Sequence, residues 1–235
     1  MSFKKNGFVV NDDNANLGVI SITSKPGSKR YKVRLSHHGE RYTYDLNNRG
    51  ATEVYPLQMG NGTYVVSVME QTSGNQYRSL FSASFNVAYE HEYVAFLQPN
   101  QYAWYQEDSP AVVKAAEIAG GLQESSKKAD AIVSYITRSF LYDHFKAITM
   151  PATGTYIPNL DSLMDSKKGI CFDLAALVCC MMRSQGIPTK MVIGETDRGY
   201  HAWNRILVDG QWRLVDVTDR IAAMEIRKYS PQLYY

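Results

Sequence analysis

Hydrophobic and polar residues alternate in the first third of the chain. The alternation is clear at residues 31–35 (Tyr-Lys-Val-Arg-Leu) and 63–68 (Thr-Tyr-Val-Val-Ser-Val). A period of two is typical of half-buried β-strands. Turn residues separate such stretches at fairly even intervals, which predicts a β-sandwich over residues 1–97. The predicted strands cover residues 17–23, 31–36, 41–46, 63–69 and 77–89.

Further along the chain, apolar residues recur at the spacing of a helix. After a segment that we interpret as a linker, at residues 98–107, Ser109 and Pro110 carry a helix-start signal. Helices are predicted between residues 109 and 121 and at 125–142, 161–165 and 171–184. Strands at 190–194, 201–208 and 211–218 follow, and residues 221–235 read as an irregular closing segment. Together these elements predict an α+β domain over residues 98–235.

Cys171 is the first residue of the helix predicted at 171–184, which is apolar on nearly all sides and therefore buried. The first turn of a helix has unpaired N–H groups, and with the helix dipole they favour negative charge. The thiolate is the nucleophilic form of cysteine. We therefore predict that Cys171 is a nucleophile, whereas Cys179 and Cys180 are interpreted as small apolar core residues.

A β-hairpin is predicted just before the end of the chain. Asp209 and Gly210 lie between two alternating stretches and are a strong signal for a two-residue type I′ turn. Such a turn pairs Val208 with Gln211.

This register brings a histidine and a carboxylate together. Counting back from the turn, Trp203 lies opposite Asp216, and His201 lies opposite Thr218. Since side chains alternate between faces, His201, Trp203 and Asp216 share one face, and Asp216 is the diagonal neighbour of His201. The carboxylate can then orient the imidazole and leave its other nitrogen for a thiol.

Residues 122–218 resemble the core shared by transglutaminases and related bacterial cysteine peptidases. The stretches that carry the resemblance are 169–173 (Gly-Ile-Cys-Phe-Asp), 183–188 (Arg-Ser-Gln-Gly-Ile-Pro), 190–194 (Lys-Met-Val-Ile-Gly), 201–203 (His-Ala-Trp) and 212–216 (Trp-Arg-Leu-Val-Asp). The resemblance implies a transglutaminase-like, papain-like α+β core, in which Cys171, His201 and Asp216 are nucleophile, base and orienting acid. Val217 departs from the pattern, because a proline commonly follows the aspartate.

The front domain carries a second resemblance. Residues 61–65 (Asn-Gly-Thr-Tyr-Val) resemble the strand entry of immunoglobulin-like and fibronectin-like modules, which implies an immunoglobulin-like sandwich before the core.

Two further stretches, 149–159 and 195–200, are expected to line the cleft. Tyr156 is a candidate second oxyanion donor, with packing on the core as the alternative. Tyr200 and Trp203 are candidate substrate contacts, and Trp203 has the alternative of a core aromatic. His37 and His38 are interpreted as a turn pair.

Composition narrows the range of partners. The chain has 235 residues and a net charge of +2, so nothing points to nucleic acid. Its three cysteines cannot form a disulfide framework. Zinc motifs and glycine-rich phosphate loops are missing, so neither a metal nor a cofactor is expected.

No apolar run is long enough to span a membrane, and residues 1–10 lack the apolar stretch of a signal peptide. The β-rich front domain inclines the interpretation toward a secreted or cell-envelope protein whose leader is not part of this sequence.

These residues predict a cysteine peptidase or amidase that acts on a protein or peptide, with cell-wall peptides among the candidates. Two alternatives remain open. The same centre could transfer the acyl group to an amine, as in a protein-glutamine transglutaminase, or the domain could be a catalytically silent binding or scaffolding protein.

Overall fold

A computed structural model describes residues 2–24, 26–47, 49–150 and 156–235. The chain divides into two compact units, Met1–Gln101 and Tyr102–Tyr235. No helix in the described part of the chain is long and apolar enough to cross a membrane.

The first unit consists of β-strands joined by short turns. Its strands are β1 (Ser2–Lys5), β2 (Phe8–Asn11), β3 (Val19–Thr23), β4 (Tyr31–His37), β5 (Glu40–Leu46), β6 (Thr52–Pro56), β7 (Gly62–Ser73) and β8 (Gln76–Val87). They form two antiparallel sheets, with strand orders β1-β2-β3-β6 and β5-β4-β7-β8.

Aromatic rings from the two sheets pack against each other. Phe8 on β2 lies 5.0 Å from Tyr31 on β4, and Tyr44 on β5 lies 5.2 Å from Tyr55 on β6, measured between ring centroids. Face-to-face packing of two antiparallel sheets defines a β-sandwich. The predicted sandwich is therefore confirmed.

Tyr64 stabilises the entry to β7. Its buried hydroxyl accepts a hydrogen bond from the Met59 N–H at 2.8 Å and donates one to the Gly60 carbonyl at 2.9 Å. The tyrosine corner of immunoglobulin-like sandwiches is likewise a tyrosine whose hydroxyl bonds to backbone a few residues upstream. This contact gives a physical reason for the resemblance of residues 61–65 to such modules.

Several predicted boundaries of the first unit were wrong. The short strands β1, β2 and β6 were not predicted, because four or five residues carry too little alternation to be recognised. The strand predicted at 17–23 begins only at Val19, since Ala15–Leu17 form a 3₁₀ turn closed by Gly18. Gly18 has a φ of +80°, and a β-carbon there would lie 2.6 Å from the backbone of Ala95.

The segment interpreted as a linker, residues 98–107, contains no helix or strand. Its first part nevertheless packs into the sandwich unit. Gln101 is buried, and its amide nitrogen donates to the Glu53 carboxylate at 2.8 Å.

The second unit combines helices with one antiparallel sheet. Its helices are α1 (Pro110–Ala119), α2 (Ser125–Ser139), α3 (His144–Thr149), α4 (Leu160–Ser166), α5 (Cys171–Ser184) and α6 (Val217–Ala222). Its strands are β9 (Leu141–Tyr142), β10 (Lys168–Gly169), β11 (Thr189–Thr196), β12 (Gly199–Val208), β13 (Gln211–Val215) and β14 (Tyr229–Tyr234). The sheet has the order β13-β12-β11-β14, and β9 pairs in parallel with β10. The predicted α+β class is confirmed.

Helix α5 is the buried centre of this unit, as predicted, and every residue from Asp173 to Arg183 is buried. Asn204 on β12 donates its side-chain amide to the Ala175 carbonyl at 3.0 Å. Arg183 donates to the Thr189 and Tyr235 carbonyls at 2.7 and 2.9 Å. The buried side chains of Asn204 and Arg183 are thus hydrogen-bonded where the helix meets the sheet.

Three predictions for the second unit were wrong. Helix α2 ends at Ser139 instead of residue 142, because Leu141 leaves the helix and donates its N–H to the Lys167 carbonyl at 2.8 Å. The strand predicted at 211–218 ends at Val215, and helix α6 follows. The closing segment is ordered: β14 pairs with β11 along Tyr229–Tyr234.

We propose that residues 98–235 fold without the sandwich. A chain beginning at residue 98 is expected to unfold in one cooperative thermal transition and to give a dispersed amide NMR spectrum, because the sheet and α5 bury their core within the second unit. The full-length chain serves as the reference. Aggregation, or a spectrum collapsed to random-coil shifts, would contradict the proposed boundary.

Candidate active site

Cys171 begins helix α5 and is half-buried. Cys179 and Cys180 are completely buried in the same helix. Burial raises the pKa of both buried thiols, so they remain protonated at neutral pH. Their interpretation as core residues is confirmed, and Cys171 is the cysteine that solvent reaches.

The predicted hairpin is present. Val208 pairs with Gln211, and the two turn residues have positive φ, +52° at Asp209 and +72° at Gly210, as a type I′ turn requires. The ladder then runs back to the pair of Asn204 with Val215.

His201 and Asp216 meet in the interior. His201 Nε2 lies 2.8 Å from Asp216 Oδ2, and both side chains are buried. The route to this contact differs from the prediction. Asp216 lies beyond the strand as the N-cap of α6, and its Oδ1 accepts the Asp219 N–H at 2.9 Å. Thr218 is inside α6 and does not lie opposite His201.

The departure at Val217 has a simple structural meaning. Val217 is the first residue of α6 and is buried. The first position of a helix tolerates proline because its N–H has no partner within the helix. Valine at this position keeps the same helix start, so Asp216 retains its capping role.

Tyr229 is a member of the site that the sequence did not reveal. Its hydroxyl donates to Asp216 Oδ2 at 3.0 Å, so this oxygen serves both the imidazole and the phenol. Burial and then the charge of Asp216 raise the pKa of Tyr229, which keeps the phenol a donor. Alternation of Tyr229 and Pro231 with polar neighbours was the available signal for strand β14.

The charge state of His201 is set by its partners. Burial lowers its pKa, but hydrogen bonds to Asp216 and Cys171, together with their charges, outweigh burial and raise the pKa to about 9. Because Nε2 is bonded to Asp216, Nδ1 is the nitrogen left for the thiol. This arrangement favours the imidazolium form of His201.

The other candidate residues lie in different settings. Tyr156 donates its hydroxyl to Asp173 and accepts from Lys146 Nζ at 2.6 Å, so its oxygen is already engaged. Tyr200 precedes His201 on β12 and is 64% exposed, as a substrate contact would be. Trp203 is 1% exposed, and its ring stacks on that of His201 with the ring centroids 6.1 Å apart. This burial matches the interpretation of Trp203 as a core aromatic. Residues 151–155 of the expected cleft loop lie outside the described residues.

Tyr142 was also missed by the sequence analysis. It lies on β9 opposite Gly169, two residues before the nucleophile candidate. Burial, then the charges of Cys171 and Asp143, raise the pKa of its phenol. A strand of two residues gives no periodic signal, so only the folded chain brings Tyr142 to the site.

Among the described residues, no group of three or more His, Cys, Asp or Glu side chains is arranged to hold a metal ion. His37 and His38 lie at a turn in the sandwich, with ring centroids 4.2 Å apart. His37 stacks on Tyr64 and bonds through Nδ1 to the Thr63 carbonyl at 2.9 Å.

Comparison with solved structures gives distant similarities. A proposed cysteine protease from Cytophaga hutchinsonii is 15% identical, with 96% of this chain and 82% of that chain covered and a TM-score of 0.49. The periplasmic domain of TgpA from Pseudomonas aeruginosa, bound to ethylmercury, is 16% identical, with coverages of 95% and 76% and a TM-score of 0.45. A TGase is 22% identical over 52% of this chain and 34% of its own, with a TM-score of 0.43.

Sequence comparison finds a family model that matches much of the second unit. No match was found among curated proteins. The sequence profile described as Transglutaminase-like superfamily matches residues 113–217, the segment that holds Cys171, His201 and Asp216. The resemblance stated for residues 122–218 is thereby confirmed: residues 113–217 are similar to the transglutaminase-like core.

Proposed function

We propose that this chain hydrolyses an amide bond in a peptide or protein, with Cys171 as nucleophile, His201 as acid and base, and Asp216 as the residue that orients His201. One observation carries the proposal: the buried His201–Asp216 pair, 2.8 Å apart, hydrogen-bonds the one half-exposed cysteine among the described residues. Nucleophile, base and orienting group in hydrogen-bond sequence are the signature of covalent acyl transfer.

The proposed first step forms a thioester. Cys171 Sγ attacks the amide carbonyl carbon, and the carbonyl oxygen takes up the negative charge. The imidazolium of His201 donates its Nδ1 proton to the amide nitrogen, the carbon–nitrogen bond breaks, and an amine leaves. Positive charge at the N-terminus of α5 stabilises the oxyanion.

The second step regenerates the enzyme. Neutral His201 takes a proton from water, and the resulting hydroxide attacks the thioester carbon. The carbon–sulfur bond breaks, a carboxylic acid leaves, and the thiolate–imidazolium pair is restored. Water requires no dedicated binding site and reaches a half-exposed cysteine. Transfer to an amine additionally requires a site that binds the amine, and for this reason hydrolysis ranks first.

Replacement of the nucleophile tests the assignment. Cys171→Ala is expected to abolish amide cleavage and rapid alkylation by iodoacetamide near pH 6, because no thiolate remains at the helix N-terminus. Mass mapping of the alkylated cysteine and circular dichroism of the variant provide the measurements. Cys180→Ala, in the buried part of the same helix, is the matched control and should keep the labelling. Slow, equal labelling of all three cysteines in the wild-type chain would instead support a silent scaffold.

Product analysis separates hydrolysis from transfer. Incubation with a glutamine-containing peptide library, with and without a labelled primary amine and in chelator, is expected to yield ammonia or new N-termini without incorporated amine. Cys171→Ala is the blank. Substantial amine incorporation, above all if calcium increases it, would make the chain a transglutaminase.

The pKa of His201 offers a direct test of the ion pair. The His201 imidazole resonances are expected to titrate at about pH 9, and Asp216→Asn and Cys171→Ala should each move the titration to lower pH. Asparagine is also a good N-cap, so Asp216→Asn keeps the start of α6.

Stability should follow the same titration. The folded pKa of His201 lies above the usual 6.5, so its contribution to the unfolding free energy is complete below pH 6.5 and disappears as pH rises through about 9. A wild-type His201 that titrates near 6.5 would contradict the proposed pair.

A further inference from the structure

A polar cluster lies at the N-terminus of α5 and has no part in the mechanism above. Lys146 Nζ, on α3, lies 2.6 Å from Asp173 Oδ2 and 2.6 Å from the Tyr156 hydroxyl. Tyr156 in turn donates to Asp173 Oδ1. Both carboxylate oxygens of Asp173 are therefore occupied by side chains from other parts of the chain.

The backbone around Asp173 fits this carboxylate closely. Asp173 is 2% exposed, and its Oδ2 also accepts the Ile170 N–H at 3.0 Å. A β-carbon on Gly169 would lie 2.9 Å from Asp173 Cβ and 2.7 Å from Leu163 Cδ1. Glycine at 169 is thus required for the carboxylate to approach the chain just before the nucleophile.

Asp173 creates an electrostatic conflict with the proposed nucleophile. It lies in the first turn of α5, two residues after Cys171, and both anions use the positive end of the same helix dipole. Two like charges at one helix end disfavour each other's ionised form. A carboxylate without a counter-ion would therefore oppose formation of the thiolate.

We propose that Lys146 is a positioning residue that neutralises Asp173, so that the N-terminus of α5 favours the Cys171 thiolate. The proposal rests on the proposed function only in taking Cys171 as the reactive thiol. Lys146 itself stays charged: burial opposes its charge, but hydrogen bonds to Asp173 and Tyr156 raise its pKa. The same two groups keep Tyr156 a neutral donor, since burial and Asp173 raise its pKa to about 12.

Other ionisable groups also face Cys171. His201 approaches from β12, with Asp216 behind it, and Tyr142 approaches from β9. His201 hydrogen-bonds the thiol and Tyr142 interacts with it electrostatically, so a Lys146 variant leaves both contributions in place.

Two lysines just before α5 are occupied elsewhere. Lys168 pairs with Asp143 at 3.4 Å and is half exposed, and Lys167 bonds to the Tyr135 hydroxyl at 3.2 Å. Lys146, by contrast, forms an ion pair with Asp173 in the first turn of α5.

The test measures the iodoacetamide labelling rate of Cys171 against pH in the full-length chain, and the readout is the midpoint of the pH–rate profile. Lys146→Met is expected to raise this midpoint by about one pH unit, because Asp173 loses its counter-ion. Asp173→Asn should lower it, because Lys146 then acts as an unpaired cation. The double variant Lys146→Met/Asp173→Asn should return close to the wild-type midpoint.

Controls separate electrostatics from structure. Lys146→Arg keeps the charge and should keep the midpoint. Lys127→Met removes a lysine from an exposed pair with Glu124 on α2 and should leave the midpoint unchanged. Thermal unfolding of each variant reports any loss of fold. If Lys146→Met fails to fold, Lys146→Gln removes the same charge, keeps a hydrogen-bond donor to Asp173, and takes the place of Lys146→Met in the single and double variants.

The outcomes are distinct. Midpoints that shift in opposite directions in the two single variants and cancel in the double variant support the proposal. Equal midpoints in all variants, or a double variant as high as Lys146→Met, would overturn it, since the second pattern means that Lys146 acts on the thiolate without Asp173. A wild-type Cys171 that does not label at all contradicts the proposed function instead.

Discussion

Burial of helix α5 against the sheet is the constraint on which the second unit depends. A helix that is buried from Asp173 to Arg183 cannot slide or rotate without leaving voids or unpaired polar groups. Asn204 on β12 donates a hydrogen bond to a backbone carbonyl of α5. The Arg183 guanidinium, near the end of α5, donates to carbonyls at the start of β11 and at the end of the chain. The position of Cys171 relative to His201 therefore follows from core packing, and the thiol needs no flexible loop to hold it.

The Asp216 carboxylate both caps a helix and binds the side chains of the candidate site. One oxygen caps helix α6, and the other accepts bonds from His201 and Tyr229. Capping fixes the carboxylate through the backbone, so the histidine meets an acceptor that cannot rotate away. Tyr229 brings strand β14 into the site, which makes the end of the chain part of the same hydrogen-bond network.

A second carboxylate, that of Asp173, makes several contacts at the N-terminus of α5. Asp173 pairs with Ile170, Lys146 and Tyr156, and Gly169 provides the room for it. The run from Gly169 to Asp173 is thus more than a setting for the cysteine. Gly169 and Asp173 depend on each other, because the Asp173 side chain can pack against the backbone at residue 169 only if that residue has no side chain.

The sequence by itself determined the elements with long, regular patterns. The helix beginning at Cys171 was predictable from its uniform apolar character and the glycine and proline that end it, and the hairpin at Asp209 and Gly210 from turn chemistry. The meeting of His201 with Asp216 was also predictable. Its route was not, because the change from strand to helix after Val215 depends on where the Asp216 side chain finds a backbone partner.

Tertiary structure alone decided the contributions of Tyr142, Lys146 and Tyr229. Tyr142 lies on a strand of two residues and Lys146 on a helix of six, so neither has a period to read. Tyr229 lies on a strand that exists because β11 offers it an edge. Each reaches the site through a contact between residues distant in sequence, and such contacts are chosen by packing of the whole unit rather than by local propensity.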